Sequence, residues 1–307
     1  MKIKKGIALI LILVLITGVL AACGGGDEAD EVVIMEGMFS EVTILAHMTG
    51  ILIEEHTDLN VTYQEPMSTV PFANALEAEE LDMGLSYDGT LLTTLLGYDP
   101  SDVPEGEDLY DFANEKGMED RGFMLLGNLG FENTYAIGVK RDFAEEHNLE
   151  TVSDLVPIAD ELIFGAEHEF FDEEGTMRFN PFNEHYGLTW ADDISMDMAY
   201  KYTAMDNENI DVTMVYTTDG LNVQSDIVML EDDLDFFPQY YASMLVRDNF
   251  FEEYEEVAPE LEEVVGQLDG MIDNEAMTQM NYEVDAEGRE AEEVAREFLV
   301  ENNLIDG

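Results

Sequence analysis

The side chains best suited to catalysis fall in no catalytic pattern. The chain has no G-x-S-x-G nucleophile motif, no P-loop and no G-x-G-x-x-G fingerprint. With seventy acids, some carboxylate pair must lie near any cleft by chance, so an acid pair does not indicate a glycosidase. No two histidines have the i, i+4 spacing of a helical metal site; they are His47, His56, His147, His168 and His185. We predict a protein that is not an enzyme and holds no metal or cofactor.

Aromatic side chains gather instead around one proline. Residues 236–244 read FFPQYYASM in a chain that is otherwise rich in carboxylates. Neighbouring side chains of an extended segment point to opposite faces, so Tyr240 and Tyr241 should not do the same job. Pro238 fixes the backbone ahead of them, and Phe236 and Phe237 are expected to pack.

The charge of the chain excludes one class of partner. Seventy Asp and Glu against twelve Lys and Arg give a net charge of −58, so nucleic-acid binding, which needs a basic face, is excluded. Hydrophobic residues are 46 % of the chain, which indicates a folded protein. The acids are spread along the whole sequence, which favours adaptation to high external salt over a field that repels anionic ligands.

The N-terminus indicates export. MKIKKGIALILILVLITGVLAAC combines three lysines, a short apolar run and a small-residue end, as in a signal peptide over residues 1–22. Leu20-Ala21-Ala22-Cys23 looks like a bacterial lipobox, in which Cys23 is lipidated; an uncleaved signal anchor is the alternative. Residues 23–31 then form a flexible tether. We expect a protein held on the extracytoplasmic face of the cell membrane.

The elements that must position any site alternate between strand and helix. The pattern predicts strands at 31–35, 60–63 and 81–87 with helices at 40–55 and 71–80 between them, with Ser40 as an N-cap. This β-α-β-α-β order builds a parallel sheet. After Gly130 strands are predicted at 135–139, 161–165 and 211–216, with a short helix at 153–155 and another at 194–205. Helices at 261–268, 274–282 and 291–302 follow. Tyr87 and Tyr216 end two of the strands, where ligands of α/β sheets lie.

Six blocks in order resemble one family. They are GLSYDGTLLTTLLG (84–97), GFENTYAIGV (130–139), FGAEHEFFDEEG (164–175), VYTTDG (215–220), DDLDFFPQY (232–240) and LDGMIDNEAMTQMNYEV (268–284). Together they look like the substrate-binding proteins of ABC importers for glycine betaine, choline and carnitine. The resemblance implies an α/β fold, the two-lobed type II periplasmic binding protein fold with two hinge crossings. Lobe I would be 32–135 plus 238–307, and lobe II 136–237.

The resemblance also implies a site and partners. An aromatic cage for a quaternary ammonium ligand falls on Tyr87, Tyr135, Tyr216 and Tyr240, which suits a group that has no N–H to donate. Thr90 is the expected donor to the ligand's carboxylate or hydroxyl. The partners would be an ABC permease and its ATPase.

Two positions leave the choice of ligand open. Val42 stands where relatives commonly have a glutamine, in FSEV rather than F-T-E-Q. If Asp88 faced the site, choline would be favoured over betaine. Glycine betaine is the expected ligand, with a choline or carnitine receptor as runner-up. A surface hydrolase on a bilobal scaffold and an adhesin-like lipoprotein are the alternatives from other classes.

Overall fold

The computed structural model describes residues 31–172 and 177–307. The predicted signal peptide, the lipidation of Cys23 and all of the tether except Glu31 lie outside these residues. Within the described ranges, no helix has the length and apolar character needed to cross a membrane.

Ten strands form two five-stranded sheets that share one plan. The first sheet has the order β2-β1-β3-β10-β4 and the second the order β7-β6-β8-β5-β9. In each sheet three strands run parallel, and the fourth runs antiparallel to its neighbours on both sides. The strands are β1 (Glu31–Met35), β2 (Asn60–Gln64), β3 (Met83–Tyr87), β4 (Phe123–Leu125), β5 (Tyr135–Lys140), β6 (Ile163–Glu167), β7 (Asp192–Met196), β8 (Val212–Tyr216), β9 (Ile227–Leu230) and β10 (Ala242–Arg247).

Helices cover both sheets and make this the predicted α/β, two-lobed type II binding-protein fold. The described α-helices are α1 (Ser40–His56), α2 (Thr69–Glu77), α3 (Asp88–Thr90), α4 (Leu109–Arg121), α5 (Arg141–His147), α6 (Phe179–Tyr186), α7 (Met198–Asp206), α8 (Leu221–Gln224), α9 (Phe250–Tyr254), α10 (Leu261–Val265), α11 (Asn274–Asp285) and α12 (Ala291–Glu301). A π-helix over Leu91–Leu96 continues α3, and short 3-10 turns lie at Pro100–Asp102, Val152–Leu155, Ala159–Glu161, His168–Phe171 and Gly266–Leu268.

Each sheet has its own apolar core. The long helix α1 packs against the first sheet and against α10, α11 and α12, so apolar residues surround most of it. In the second core the rings of Phe164, Phe170 and Phe182 are fully buried. Phe236 and Phe237 pack against Phe182, as predicted for these two residues.

Two segments cross between the sheets side by side. Asn133 N donates to Tyr240 O at 3.0 Å, and Ala242 N donates to Phe131 O at 3.2 Å. The side chain of Thr134 donates to Pro238 O at 2.9 Å. The strands β5 and β10, which directly follow these crossings, each supply the fourth position of a sheet. FFPQYY is therefore the return crossing, as the sequence indicated.

Helix α11 adds a third connection between the two halves. Asn281 Nδ2 donates to Thr218 O at 2.8 Å, just after β8. A Cβ on Gly220 would overlap the backbone of Tyr282, so glycine is needed for this close approach. The lobe limits drawn at residues 135 and 238 stay a prediction.

Most predicted elements are confirmed within a few residues, but two predictions are wrong. Residues 194–196 lie in β7, because Ile194 pairs with Gly165 at the edge of the second sheet, and α7 begins only at Met198. Ser40 is not a side-chain cap of α1. Its hydroxyl instead donates to Asp285 at 2.9 Å and to Asn281 at 3.1 Å, so a tertiary contact to α11 replaces the local one.

Candidate ligand-binding site

Tyr87 and Tyr240 form a stacked pair on the side of the first sheet. Tyr87 ends β3, and Tyr240 lies on the return crossing. Their ring centroids are 5.3 Å apart with 28° between the planes. The Tyr240 hydroxyl hydrogen-bonds the Thr90 hydroxyl at 2.6 Å. A Cβ on Gly89 would overlap the Tyr240 ring, so this glycine makes room for it.

Tyr135 and Tyr216 form a second pair on the other sheet. They lie directly opposite each other in the β5–β8 ladder, with ring centroids 5.1 Å apart and 65° between the planes. Cross-strand pairs of this kind hold aromatic rings in fixed positions. Phe170 and Phe237 pack edge-on against Tyr135 from behind.

The two pairs meet at one cavity. A space of about 160 Å³ is lined by Asn133, Thr134, Tyr135, Met177, Tyr216 and Tyr240. Three of the four predicted tyrosines line it directly, and Tyr87 supports the ring of Tyr240. Burial raises the pKa of Tyr87, Tyr216 and Tyr240, so these phenols stay neutral. Neutral rings with electron-rich faces can hold a cation and also present apolar walls to its methyl groups.

Thr90 and Asp88 lie behind this wall of rings. Thr90 shares its hydrogen bond with the Tyr240 hydroxyl and lines neither of the two cavities between the sheets. Asp88 is fully buried, and its Oδ1 accepts from Gly89 N at 2.6 Å and Tyr241 N at 3.1 Å. Its Oδ2 has no hydrogen-bond partner, and burial raises the pKa of Asp88 to about 7.

The structure also brings in a residue that the sequence reasoning missed. Glu41 in the first turn of α1 is only 1 % exposed and accepts a hydrogen bond from the Tyr87 hydroxyl. Asn133 donates to the same oxygen at 3.1 Å, and Asn281 donates to the other at 3.2 Å. Burial raises the pKa of Glu41, and hydrogen bonds from Thr218, Tyr87 and the two asparagines oppose the rise. The signal for Glu41 in the sequence was its place in FSEV, directly before Val42.

Val42, where relatives commonly have a glutamine, belongs to the core. It is 6 % exposed and packs in the apolar cluster around α1. A glutamine there would be a polar group in an apolar core. The other three residues of FSEV, Phe39, Ser40 and Glu41, line a cavity of about 420 Å³ between the sheets.

A buried ion pair supports the ring of Tyr216. Lys201 is fully buried, and its Nζ lies 3.0 Å from Glu167 Oε2 and 5.4 Å from the Tyr216 ring centroid. Glu167 ends β6, beside the strand that carries Tyr216. The chain has only twelve Lys and Arg, so each of them was a candidate for an ion pair. Spacing in the sequence could not identify Glu167 as the partner of Lys201.

A second cavity of about 420 Å³ adjoins the first. It shares Asn133 and Tyr216 with the tyrosine-lined space. Glu41, Asp219 and Asp285 also line it, and none of its lining residues is a Lys or an Arg. The extended space between the two sheets is therefore aromatic at one end and acidic at the other.

The fold and this inter-sheet space are those of a binding protein that holds its ligand between two lobes, and the matching family and relatives are transport-binding proteins of the extracytoplasmic side rather than enzymes. The chain belongs to the family described as the substrate binding domain of ABC-type glycine betaine transport systems, whose model matches residues 30–301.

Relatives and a solved structure agree with this family. A Listeria monocytogenes protein named carnitine transport binding protein OpuCC is 33 % identical over 312 residues, 99 % of each chain. A Helicobacter pylori protein named ergothioneine transport permease/ergothioneine binding protein EgtU is 27 % identical over 301 residues, 97 % of this chain and 52 % of that protein. A crystal structure titled glycine betaine/carnitine/choline ABC transporter superposes with a TM-score of 0.81 at 30 % identity, and covers 90 % of this chain and 100 % of that one.

Proposed function

We propose that this protein captures a small quaternary-ammonium solute, glycine betaine first among them, between its two sheets and delivers it to an ABC permease. The observation that supports this most directly is the meeting of two tyrosine pairs at one cavity, each pair supplied by a different side of the cleft. A trimethylammonium group offers no N–H, so ring faces are the means by which a protein can select it, at about 0.5 to 2 kcal/mol per well-placed ring.

In this proposal each tyrosine has a distinct role. Tyr135 and Tyr216 form a rigid wall on the second sheet. Tyr240, supported by Tyr87, closes the wall opposite, and Thr90 donates to the carboxylate of the ligand. Because Tyr87 belongs to the first sheet while Tyr135 and Tyr216 belong to the second, a hinge movement between the sheets would open and complete the cage. Hinge closure of periplasmic binding proteins around a ligand is a standard motion of this fold.

Isothermal titration calorimetry of the mature chain tests the proposal. Glycine betaine, carnitine, choline, ergothioneine, proline and ectoine form the panel. We expect micromolar binding of at least one trimethylammonium compound and none of proline. Absence of heat with all four compounds that carry a trimethylammonium group, namely glycine betaine, carnitine, choline and ergothioneine, would refute the proposed function.

Carnitine is the second candidate, because the Listeria relative named for carnitine matches over the full length. Carnitine is longer than betaine, and the adjoining cavity of about 420 Å³ gives a longer ligand room. A carnitine affinity well above that for betaine in the same titration would decide for it.

Membrane attachment through Cys23 belongs to the same proposal. Replacement Cys23→Ser removes the thiol that would carry the lipid. We expect the variant to leave the membrane fraction of expressing cells while the purified protein binds ligand unchanged. Retention of the variant in the membrane would contradict the lipid anchor.

A further inference from the structure

Glu41 is a buried carboxylate whose two oxygens are both held by donors. The Tyr87 hydroxyl and Asn133 Nδ2 donate to Oε1, and Asn281 Nδ2 donates to Oε2. The amide nitrogens can only donate, so both asparagine contacts need a lone pair on a carboxyl oxygen. These hydrogen bonds favour the anionic form and oppose the rise in pKa that burial causes.

This anion has no cationic partner in the described part of the chain. The influences on it are burial and hydrogen bonds from neutral side chains. Two other buried acids each have a cationic partner: Glu167 has Lys201 at 3.0 Å, and Asp82 has Arg247 at 2.9 Å. A buried charge without a counter-charge costs about several kcal/mol, and such unpaired charges are rare in folded proteins.

Asp88 is also buried without a cation, but it differs in a decisive way. One of its oxygens has no hydrogen-bond partner, and burial raises its pKa to about 7. Protonation of Asp88 therefore removes the buried negative charge. Glu41 has donors on both oxygens. The two acids are thus not equivalent, and only Glu41 is held ready to balance a positive charge.

The position of Glu41 indicates where that positive charge would lie. Its carboxylate lines the cavity that shares Asn133 and Tyr216 with the tyrosine-lined space. It also holds the hydroxyl of Tyr87, whose ring stacks on Tyr240. A phenol that donates to a carboxylate has a more electron-rich ring, which strengthens its attraction for a cation.

We infer that Glu41 is the counter-charge for the ammonium group of the ligand, acting through Tyr87 and across the shared cavity. The inference rests on the proposed function and deepens it. It predicts that the protein distinguishes a quaternary ammonium from an uncharged molecule of the same shape, and that Glu41 supplies much of this discrimination.

The experiment compares charge at constant shape. Choline and its uncharged carbon isostere 3,3-dimethylbutan-1-ol are titrated into the wild type, Glu41→Gln and Glu55→Gln. Glu55→Gln is the matched control, because it makes the same change on the same helix α1 at an exposed side chain that lines neither inter-sheet cavity. If betaine binds and choline does not, betaine and 3,3-dimethylbutanoate replace the pair.

We expect Glu41→Gln to weaken the charged ligand about tenfold or more, since a charge in a low-dielectric site acts strongly. The affinity for the uncharged isostere should change less than about twofold, and Glu55→Gln should change the affinity for neither ligand by more than that, because solvent screens the charge of Glu55. A thermal melt establishes that each variant is folded. Equal weakening of both ligands would show a merely structural role, and unchanged affinity for both would also overturn the inference.

Proton release gives a second readout that does not need the isostere. The titratable groups facing Glu41 are Tyr87 on β3 and, around the cavity, Tyr216, Asp219 and Asp285. A cation favours the anionic form of Glu41, so binding at mildly acidic pH should release protons. Calorimetry in two buffers of different ionisation enthalpy measures this release. Glu41→Gln should lower it, and an unchanged release would refute the counter-charge.

The two proposals fail in different ways. A wild type that binds no trimethylammonium compound removes the proposed function and, with it, this inference. A wild type that binds the charged ligand as tightly after Glu41→Gln keeps the function and removes only the inference.

Discussion

The adjacent residues Tyr240 and Tyr241 offer the sharpest test of the site. The same residue type occurs twice in succession on one crossing, but the structure gives the two side chains different surroundings. Tyr240 lines the tyrosine cavity and stacks on Tyr87. Tyr241 holds Asp88 through its main-chain N and O, while its hydroxyl only meets Gln239 at 3.5 Å. Tyr241→Ala therefore keeps the contacts that matter to the crossing.

The magnitude for Tyr240→Ala follows from what the ring contacts. Loss of one ring face to the cation costs about 0.5 to 2 kcal/mol. Tyr87 also loses the ring that fixes its position, and an aromatic pair contributes about 0.5 to 1.5 kcal/mol. The sum is about 1 to 3.5 kcal/mol, or roughly five- to 350-fold in Kd. For Tyr241→Ala we expect less than about twofold, because its ring lines neither of the two inter-sheet cavities.

Calorimetric titration with the best ligand of the panel measures both variants, and thermal melts establish that both remain folded. Tyr240→Phe adds a finer step, since it keeps the ring and removes only the hydrogen bond to Thr90. Equal losses for Tyr240→Ala and Tyr241→Ala would show that the assignment of faces is wrong.

Three further predictions follow from other features. Gly89→Ala should push the Tyr240 ring out of place and weaken binding about as much as Tyr240→Ala, as titration would show; an unchanged Kd would contradict the packing argument. The pKa of Asp88 is raised from 3.8 to about 7, so burial of its charge costs stability increasingly as pH rises from about 4 to 7 and constantly above. In urea unfolding, the free energy of unfolding of Asp88→Asn should therefore increase relative to that of the wild type as pH rises through this window. A difference that does not change with pH would refute the raised pKa of Asp88. The net charge of −58 predicts a melting temperature that rises with NaCl towards 1 M, where the Debye length is about 3 Å; a flat curve would refute salt adaptation.

The sequence carried the class of fold because its signals were local. Alternation of strand and helix predicted the parallel β1–β3 set, and the ordered blocks pointed to the family. Three strands outside that alternation were harder to predict. β4 has three residues and β9 four, and the pairing of β4, β9 and β10 with distant strands is fixed by tertiary contacts rather than by periodicity.

The site was predictable only as far as side chains act one by one. The four tyrosines stand in recognisable positions at strand ends and on the crossing. Glu41 and Lys201 do not, because each derives its role from partners far along the chain: Glu41 from Asn133 and Asn281, and Lys201 from Glu167. In a chain with seventy acids, Glu41 stands out only once its burial and its three hydrogen-bond donors are known.

The return of β10 to the first sheet also bears on the order in which the chain can fold. The second sheet has all five of its strands within residues 135–230, so it can assemble as soon as that stretch is available. The first sheet must wait for β10, which joins β3 to β4 only after the whole second half has been made. Such distant pairing closes a long loop and is slow. A newly made chain would thus keep its first sheet incomplete for longest, because the apolar faces of β1 to β3 depend on β10 and the helices after it, which lie in residues 242–307.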